Sequence, residues 1–250
     1  MSELAPDALA PRLSGTFGRP YLYAIELPST QDVLRGSDLP HGTVVLAEHQ
    51  TAGRGRSARS WDDSAGKALL FSVLLRPPLA APLPQLSLVA GLAVAEAVER
   101  ETGIATKVKW PNDVLAPGGK VAGILLEASG NSVVCGVGIN VNQAETELPE
   151  QPRTPATSLA LATGSAVDRG LLLTSVLAQF ERRYDNWVVG GLEALAEELS
   201  ARNALSGIRV RTAGREGEAG AIAPDGRLTV KLDRGDQILV ESGEIEIVAR

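Results

Sequence analysis

The sequence predicts an α+β protein: a mixed sheet with packing helices, followed by a small all-β unit. Three observations carry that expectation. Strand-length apolar runs come early, Ala68 to Leu75 being continuous. Two longer stretches, Pro84 to Thr102 and Asp168 to Val189, place apolar residues at three- and four-residue spacing, as a helix with one buried face does. From Gly207 to Arg250 the chain changes to short β-rich runs separated by glycine turns. At 250 residues and 44% apolar composition, the chain can bury one full domain and a smaller second one.

In chain order, residues 1–19 carry Pro, Gly and Ser without a period and are expected to form a flexible arm. Tyr21 to Leu27 reads as a strand. Pro28-Ser29-Thr30-Gln31-Asp32 reads as a turn opening a helix, with Ser29 or Thr30 able to cap it. Thr43 to Gln50 is a second strand, whose alternation sets Val45, Ala47 and His49 on one face and Val44, Leu46, Glu48 and Gln50 on the other. Gln50 then lies at the sheet end. Ala68 to Leu75 is a strand buried on both faces, stopped by Pro77-Pro78. The helix from Pro84 is closed by Gly103.

Lys107 to Trp110 is a strand with both lysines on one face and Val108 and Trp110 on the other. Pro111 removes a ladder donor, leaving Asn112 and Asp113 in a turn at the strand end. A hairpin through Ala116-Pro117-Gly118-Gly119 brings Lys120 back beside them. From Ser132 to Val141, Gly136, Gly138 and Asn140 share one face. Two glycines in line make a bare lane for a flat ligand; a bulge or a tight helix crossing would use them equally well. A polar, proline-rich loop from Glu145 to Pro155 leads to helices over Ser158–Thr163, Asp168–Val189 and Leu192–Asn203, with Leu172, Val176, Phe180 and Tyr184 as a core stripe. The closing strands, with Asp225-Gly226 and Arg234-Gly235 as turns, suggest a small barrel. The expected units are 1–19, 20–204 and 205–250.

Composition excludes several functions. A formal charge of −6 argues against broad capture of nucleic acid. Two histidines and one cysteine, Cys135, cannot assemble a zinc cluster, a disulfide framework or most His-dependent nucleophile schemes. The N-terminus lacks a signal-peptide pattern and no apolar run reaches membrane-spanning length. A cytoplasmic protein bound to no membrane is expected.

The densest stretch is Gly53-Arg54-Gly55-Arg56-Ser57-Ala58-Arg59-Ser60-Trp61, with three arginines and two glycines in nine residues. Glycine lets backbone approach a ligand, and arginine forks match phosphate or carboxylate oxygens in pairs. A strand emptying into such a loop suits a small polyanion. The stretch formally matches the dinucleotide fingerprint, but no acid follows about twenty residues on, and no Walker A pattern occurs. A solvated loop paired with Asp62 and Asp63 is the plain alternative.

Together with Lys-Trp-Pro-Asn-Asp-Val (109–114), Lys-Val-Ala-Gly-Ile-Leu-Leu-Glu (120–127) and Gly-Val-Gly-Ile-Asn-Val (136–141), this loop resembles the biotin protein ligase family, in order and spacing, over about Tyr21 to Arg250. One departure is Ser57-Ala58, where the family commonly has Arg-Gly; altered loop mobility is expected from it. The resemblance implies a class II synthetase-like mixed-sheet catalytic domain, an SH3-like C-terminal barrel, and a two-step reaction. Biotin and ATP, with Mg²⁺, give biotinyl-5′-adenylate and pyrophosphate. Biotin then passes to one lysine of a biotin carboxyl carrier protein, a subunit of an acyl-CoA carboxylase.

By that resemblance Lys120 and Arg56 are catalytic. Ser29, Thr30, Gln31 and Gln50 contact biotin, with Arg54, Gly55, Arg56 and Lys120, over a floor of Gly123, Gly136 and Gly138. Arg54, Arg56, Arg59, Trp61, Lys109, Asn112 and Asn140 face the nucleotide, and Asp113 the metal. A lipoate–protein ligase is the near rival, and a biotin-sensing transcriptional repressor the rival from another class. About twenty residues precede the first strand, fewer than a helix-turn-helix domain needs, so a monofunctional form without a DNA-binding domain and without a nucleic-acid partner is expected. Whether it forms a homodimer is left open.

Overall fold

The computed structural model describes residues 2–57, 59–79, 81–149, 154–243 and 245–248. Parts of three expectations lie outside them: Ala58 of the Ser57-Ala58 departure, the middle of the Glu145–Pro155 loop, and Glu244 at the head of the last strand.

Seven strands form one mixed sheet in the order β1-β2-β3-β7-β6-β5-β4. They are β1 (Tyr21–Leu27), β2 (Val44–Gln50), β3 (Ala68–Leu75), β4 (Lys107–Lys109), β5 (Asp113–Ala116), β6 (Gly119–Ser129) and β7 (Ser132–Asn140). β1 runs parallel to β2 and every other neighbouring pair is antiparallel. β3 and β7 fill the middle, and all eight residues of β3 are buried, as its unbroken apolar run predicts.

One face carries the long helices α3 (Leu86–Thr102) and α5 (Arg169–Gly190). Their buried stripes, including Leu172, Val176, Phe180 and Tyr184, join Val44, Leu46, Phe71 and Cys135 in the main core. Gly103 ends α3 in the left-handed conformation, φ 73°. The opposite face is more open. There α2 (Thr30–Leu34) covers Val45, Leu74 and Val134 through Leu34.

The N-terminal stretch differs from the expected flexible arm. It contains a short helix α1 (Pro6–Leu9), and Leu4, Leu9, Leu13 and Phe17 are buried in the main core. Charge fixes it further. Arg169 lies between Glu3 (2.8 Å) and Glu48 (2.7 Å), while Ser2 and Tyr23 donate to the same Glu48 carboxylate. Burial alone would raise the Glu48 carboxyl; those bonds and the Arg169 charge outweigh it and hold it below the usual range. Prolines and glycines hid four spaced apolar anchors.

Helices α4 (Leu159–Thr163) and α6 (Ala196–Arg202) complete the helical part. Five further strands make a second, antiparallel sheet in the order β11-β10-β9-β8-β12: β8 (Arg209–Thr212), β9 (Arg215–Ile222), β10 (Leu228–Leu232), β11 (Gln237–Val240) and β12 (Glu246–Ile247). Among the described residues β11 and β12 are not paired with each other, so the sheet is open where closure into a barrel was expected.

Candidate active site

At one end of the sheet, on the face that α2 partly covers, lies a cleft of about 770 Å³. It is bounded by the turn before α2, the arginine loop, the β4–β5 turn, the start of β6 and the glycine face of β7. All seventeen residues named above as site candidates, Ser29 through Asn140, line it. What each does there differs.

The α2 end is a chain of neutral hydrogen bonds. Ser29 occupies the N-cap position but makes no side-chain cap. Instead Gln50 Oε1 accepts from the Thr30 amide at 2.8 Å and from Thr30 Oγ1 at 3.1 Å, and Thr30 Oγ1 lies 2.8 Å from Ser72 Oγ. A glutamine from the next strand thus satisfies a helix-start donor that has no partner within the helix. Strand alternation would group Gln50 with Glu48, which meets Arg169 on the helical side; at the strand end Gln50 reaches the cleft instead. Ser72 was missed, although it is the one polar residue in the Ala68–Leu75 run.

The arginine loop is a narrow hairpin. Arg54 bridges Ser60, Trp61 N–H donates to Gly53 O at 3.0 Å, and Gly55 N–H to Arg59 O at 2.7 Å. A side chain at Gly53 would strike the Trp61 carbonyl. Ser57 turns the tip with φ 57°, a conformation that favours glycine. The hairpin lays the Trp61 indole on the bare lane. A Cβ at Gly138 would fall 2.5 Å from the ring, and one at Gly123 2.8 Å from it. Gly136 is covered by Gln31, whose amide donates to Leu125 O at 3.0 Å. The lane therefore carries two of the chain's own flat side chains. Trp61 Nε1 is buried and has no hydrogen-bond partner.

The cationic end is built around the β5–β6 hairpin. Lys120 Nζ lies 2.7 Å from Asp113 Oδ1 and 5.5 Å from the centroid of the Trp61 ring. Arg56 Nη1 donates to Asn112 Oδ1 at 3.1 Å, and Asn112 Nδ2 donates to Ile124 O at 2.9 Å. Burial, aided by Arg59, pulls the Arg56 guanidinium below its ordinary value against the attraction of Asp113. Lys109 is buried and donates to Thr154 Oγ1 at 2.7 Å. Arg59 Nε returns to Arg56 O at 3.2 Å.

Arg54 stands apart: its guanidinium meets Asp32 at 2.9 Å and Glu127 at 3.2 Å. Asn140 spends its amide on Thr157 O (3.1 Å) and accepts from Gln143. Sequence reasoning also missed the segment Thr154–Thr157. Its backbone pairs with Lys120 on both sides, Lys120 N–H to Pro155 O at 2.8 Å and Thr157 N–H to Lys120 O at 2.9 Å. Gly119, φ 145°, is where Pro155 crosses too close for any Cβ. The Gly118-Gly119 corner thus serves a crossing strand as well as a turn.

Known proteins resemble this chain over most of its length. Residues 22–143 match the biotin/lipoate A/B protein ligase family. A biotin–[acetyl-CoA-carboxylase] ligase of Mycobacterium tuberculosis is 39% identical over 221 residues, 84% of this chain and 80% of that protein. The bifunctional ligase/repressor BirA of Bacillus subtilis is 37% identical over 245 residues, 92% of this chain and 74% of that protein. Among solved structures, the biotin protein ligase of Aquifex aeolicus in complex with biotin and ATP superposes with a TM-score of 0.81 at 33% identity, covering 92% of this chain and 98% of that one.

Proposed function

The chain belongs to the biotin/lipoate A/B protein ligase family, and from that premise we propose how it works. It is an ATP-dependent biotin protein ligase. First, a biotin carboxylate oxygen attacks the α-phosphorus of ATP, the bond to the β-phosphate oxygen breaks, and pyrophosphate leaves biotinyl-5′-adenylate behind. Then the neutral ε-amine of a lysine on a biotin carboxyl carrier protein attacks the acyl carbon, AMP departs with the bonding pair, and the amine gives up a proton.

One observation carries the reading: a single cleft has a neutral, hydrogen-bonding end at Thr30 and Gln50, backed by the buried Ser72, and a cationic end at Arg56, Lys109 and Lys120. The neutral end suits an uncharged urea ring that both donates and accepts. The cationic end suits two anions that must be brought together, since fixed positive charge offsets repulsion where it develops. Lys120 bridges the biotin carboxyl and the α-phosphate, Arg56 faces the phosphates, and the glycines at 123, 136 and 138 form the floor on which Trp61 and Gln31 lie beside the acid. Trp61, with an unpaired indole N–H, sits against the nucleotide side, as do Arg59, Asn112 and Asn140.

Magnesium fits as an ion that travels with the nucleotide. Among the described residues no three His, Cys, Asp or Glu could hold a metal, and Asp113 already faces Lys120. Mg²⁺ takes one or two carboxylates plus substrate phosphates and keeps waters, so Asp113 is a sufficient protein contribution. When bound, the ion draws charge from the phosphates.

The same reading takes residues 20–204 as a class II synthetase-like catalytic domain and 205–250 as a separate small β unit, whose sheet is open where an SH3-like barrel was expected, with a cytoplasmic location. The buried, unpaired Cys135 and the absence of a membrane-length apolar helix among the described residues support it. The test is mass spectrometry of a carrier domain incubated with the protein, biotin and MgATP. One added biotin on one lysine is expected. Modification by lipoate and not by biotin would overturn the substrate assignment.

A further inference from the structure

We infer that Arg54 is a positioning residue, a latch holding the arginine hairpin against α2 and β6, and not a ligand for phosphate. The inference rests on the ligase reading for its kinetic arm only. All three guanidinium nitrogens are committed. Nη1 meets Asp32 on α2 at 2.9–3.0 Å, Nε meets Glu127 Oε1 at 3.2 Å, and Nη2 meets Glu127 Oε2 at 3.3 Å. The Glu127 contact is the two-pronged fork that guanidinium makes with carboxylate. Arg35, at the end of α2, also pairs with Glu127, through the Oε2 that Arg54 Nη2 meets.

The four charges alternate, Asp32–Arg54–Glu127–Arg35, and sum to zero. A phosphate approaching Arg54 would meet two carboxylates as well, so the cluster offers a polyanion no net attraction. Arg56, two residues along the same hairpin, is the opposite case. Its side chain bonds the neutral amide of Asn112, and no carboxylate lies within ion-pair distance among the described residues. The two arginines of one motif divide the work, one holding the loop and the other meeting the ligand.

What the latch holds is the spacing between the two ends of the cleft. α2 begins at Thr30 and Gln31, and Gln31 is itself tied to Leu125, two residues before Glu127 on β6. The hairpin begins at Gly53 and carries Trp61 onto Gly138 and Gly123. Joining Arg54 to both carboxylates therefore sets the neutral end, the glycine floor and the Trp61 ring at fixed separation. The participating side chains are partly exposed, 31% for Arg54, 44% for Asp32 and 22% for Glu127, so each pair alone is weak and the network is what acts.

The test compares Arg54→Ala with the Asp32→Asn/Glu127→Gln double variant and with all three changes combined, each checked for wild-type thermal unfolding. If Arg54 is a latch, freeing it does what deleting it does. Both variants should raise the KM for biotin about tenfold in ATP–pyrophosphate exchange while the KM for ATP and kcat stay within about threefold, and the triple variant should be no worse than either. Without any substrate, trypsin should cut after Arg56 and Arg59 faster in all three. If Arg54 binds phosphate instead, Arg54→Ala raises the KM for ATP while the double variant, with its guanidinium released, does not. That pattern, or unchanged trypsin cleavage, overturns the inference. A wild-type protein inactive with biotin would defeat the ligase reading and leave the trypsin comparison intact.

Discussion

Lys120 and Arg56 reach the same end of the cleft from different elements, and their partners say how each waits for an anion. Lys120 rests on Asp113, a charge it can exchange for another at little electrostatic cost. Arg56 rests on a neutral amide and is partly desolvated, so an arriving phosphate relieves it. Removing either takes away stabilisation present mainly as charge develops. We expect Lys120→Ala and Arg56→Ala each to lower kcat for biotin-dependent ATP–pyrophosphate exchange by about 10²–10³, with thermal unfolding unchanged. Exchange at the wild-type rate in either variant would remove that residue from the chemistry.

At the scale of elements, local pattern was the good guide. β1 to β4, β6, β7, the long helices and the hairpin that returns Lys120 to Asp113 follow from period, proline stops and glycine turns; β5 begins at Asp113 and ends at Ala116, residues that the sequence pattern assigns to turns. These are effects of a residue on its neighbours. What the sequence could not supply were pairings across long separations: Gln50 capping α2, Arg54 facing Glu127, and Thr154–Thr157 lying beside Lys120. The N-terminal stretch belongs to the same class, since Phe17 is packed against Phe180 and Tyr184 of the distant α5. There His41 is packed between Phe17 and Tyr184, ring centroids 5.5 and 5.1 Å away, and its Nδ1 accepts the Arg76 amide at 3.1 Å. Burial holds the imidazole below its ordinary value, with Asp185 and Glu181 pulling upward and Arg76 downward. An unfolded chain therefore binds the extra proton first, near pH 6.5. His41 contributes stability above that pH and loses it as pH falls through 6.5 toward the folded value. Urea midpoints at pH 7.5 and 5.5 should show a drop for wild type that is smaller in His41→Gln; an equal drop in both would place the titration elsewhere.

The whole molecule turns on whether the C-terminal sheet merely rests on the catalytic part or completes it. Two part-buried ties join them. Trp110 Nε1 donates to Gly226 O at 2.9 Å, and Gln85 links Trp187 Nε1 (2.7 Å) to Pro224 O (3.0 Å). From the same sheet region Gly243 and Ile245 reach the wall of the cleft. A sheet so tied is expected to unfold with the rest, and it contributes to the wall of the cleft. Gln85→Ala tests both consequences, because Gln85 itself is buried and absent from the cleft. It strands the Trp187 N–H, a loss of about 1–3 kcal/mol. We expect a single urea transition shifted to lower midpoint, together with a raised KM for ATP as the wall at Gly243 and Ile245 loosens. Two separated transitions would make residue 205 a true mechanical boundary, and an unmoved KM would reduce the second sheet to packing.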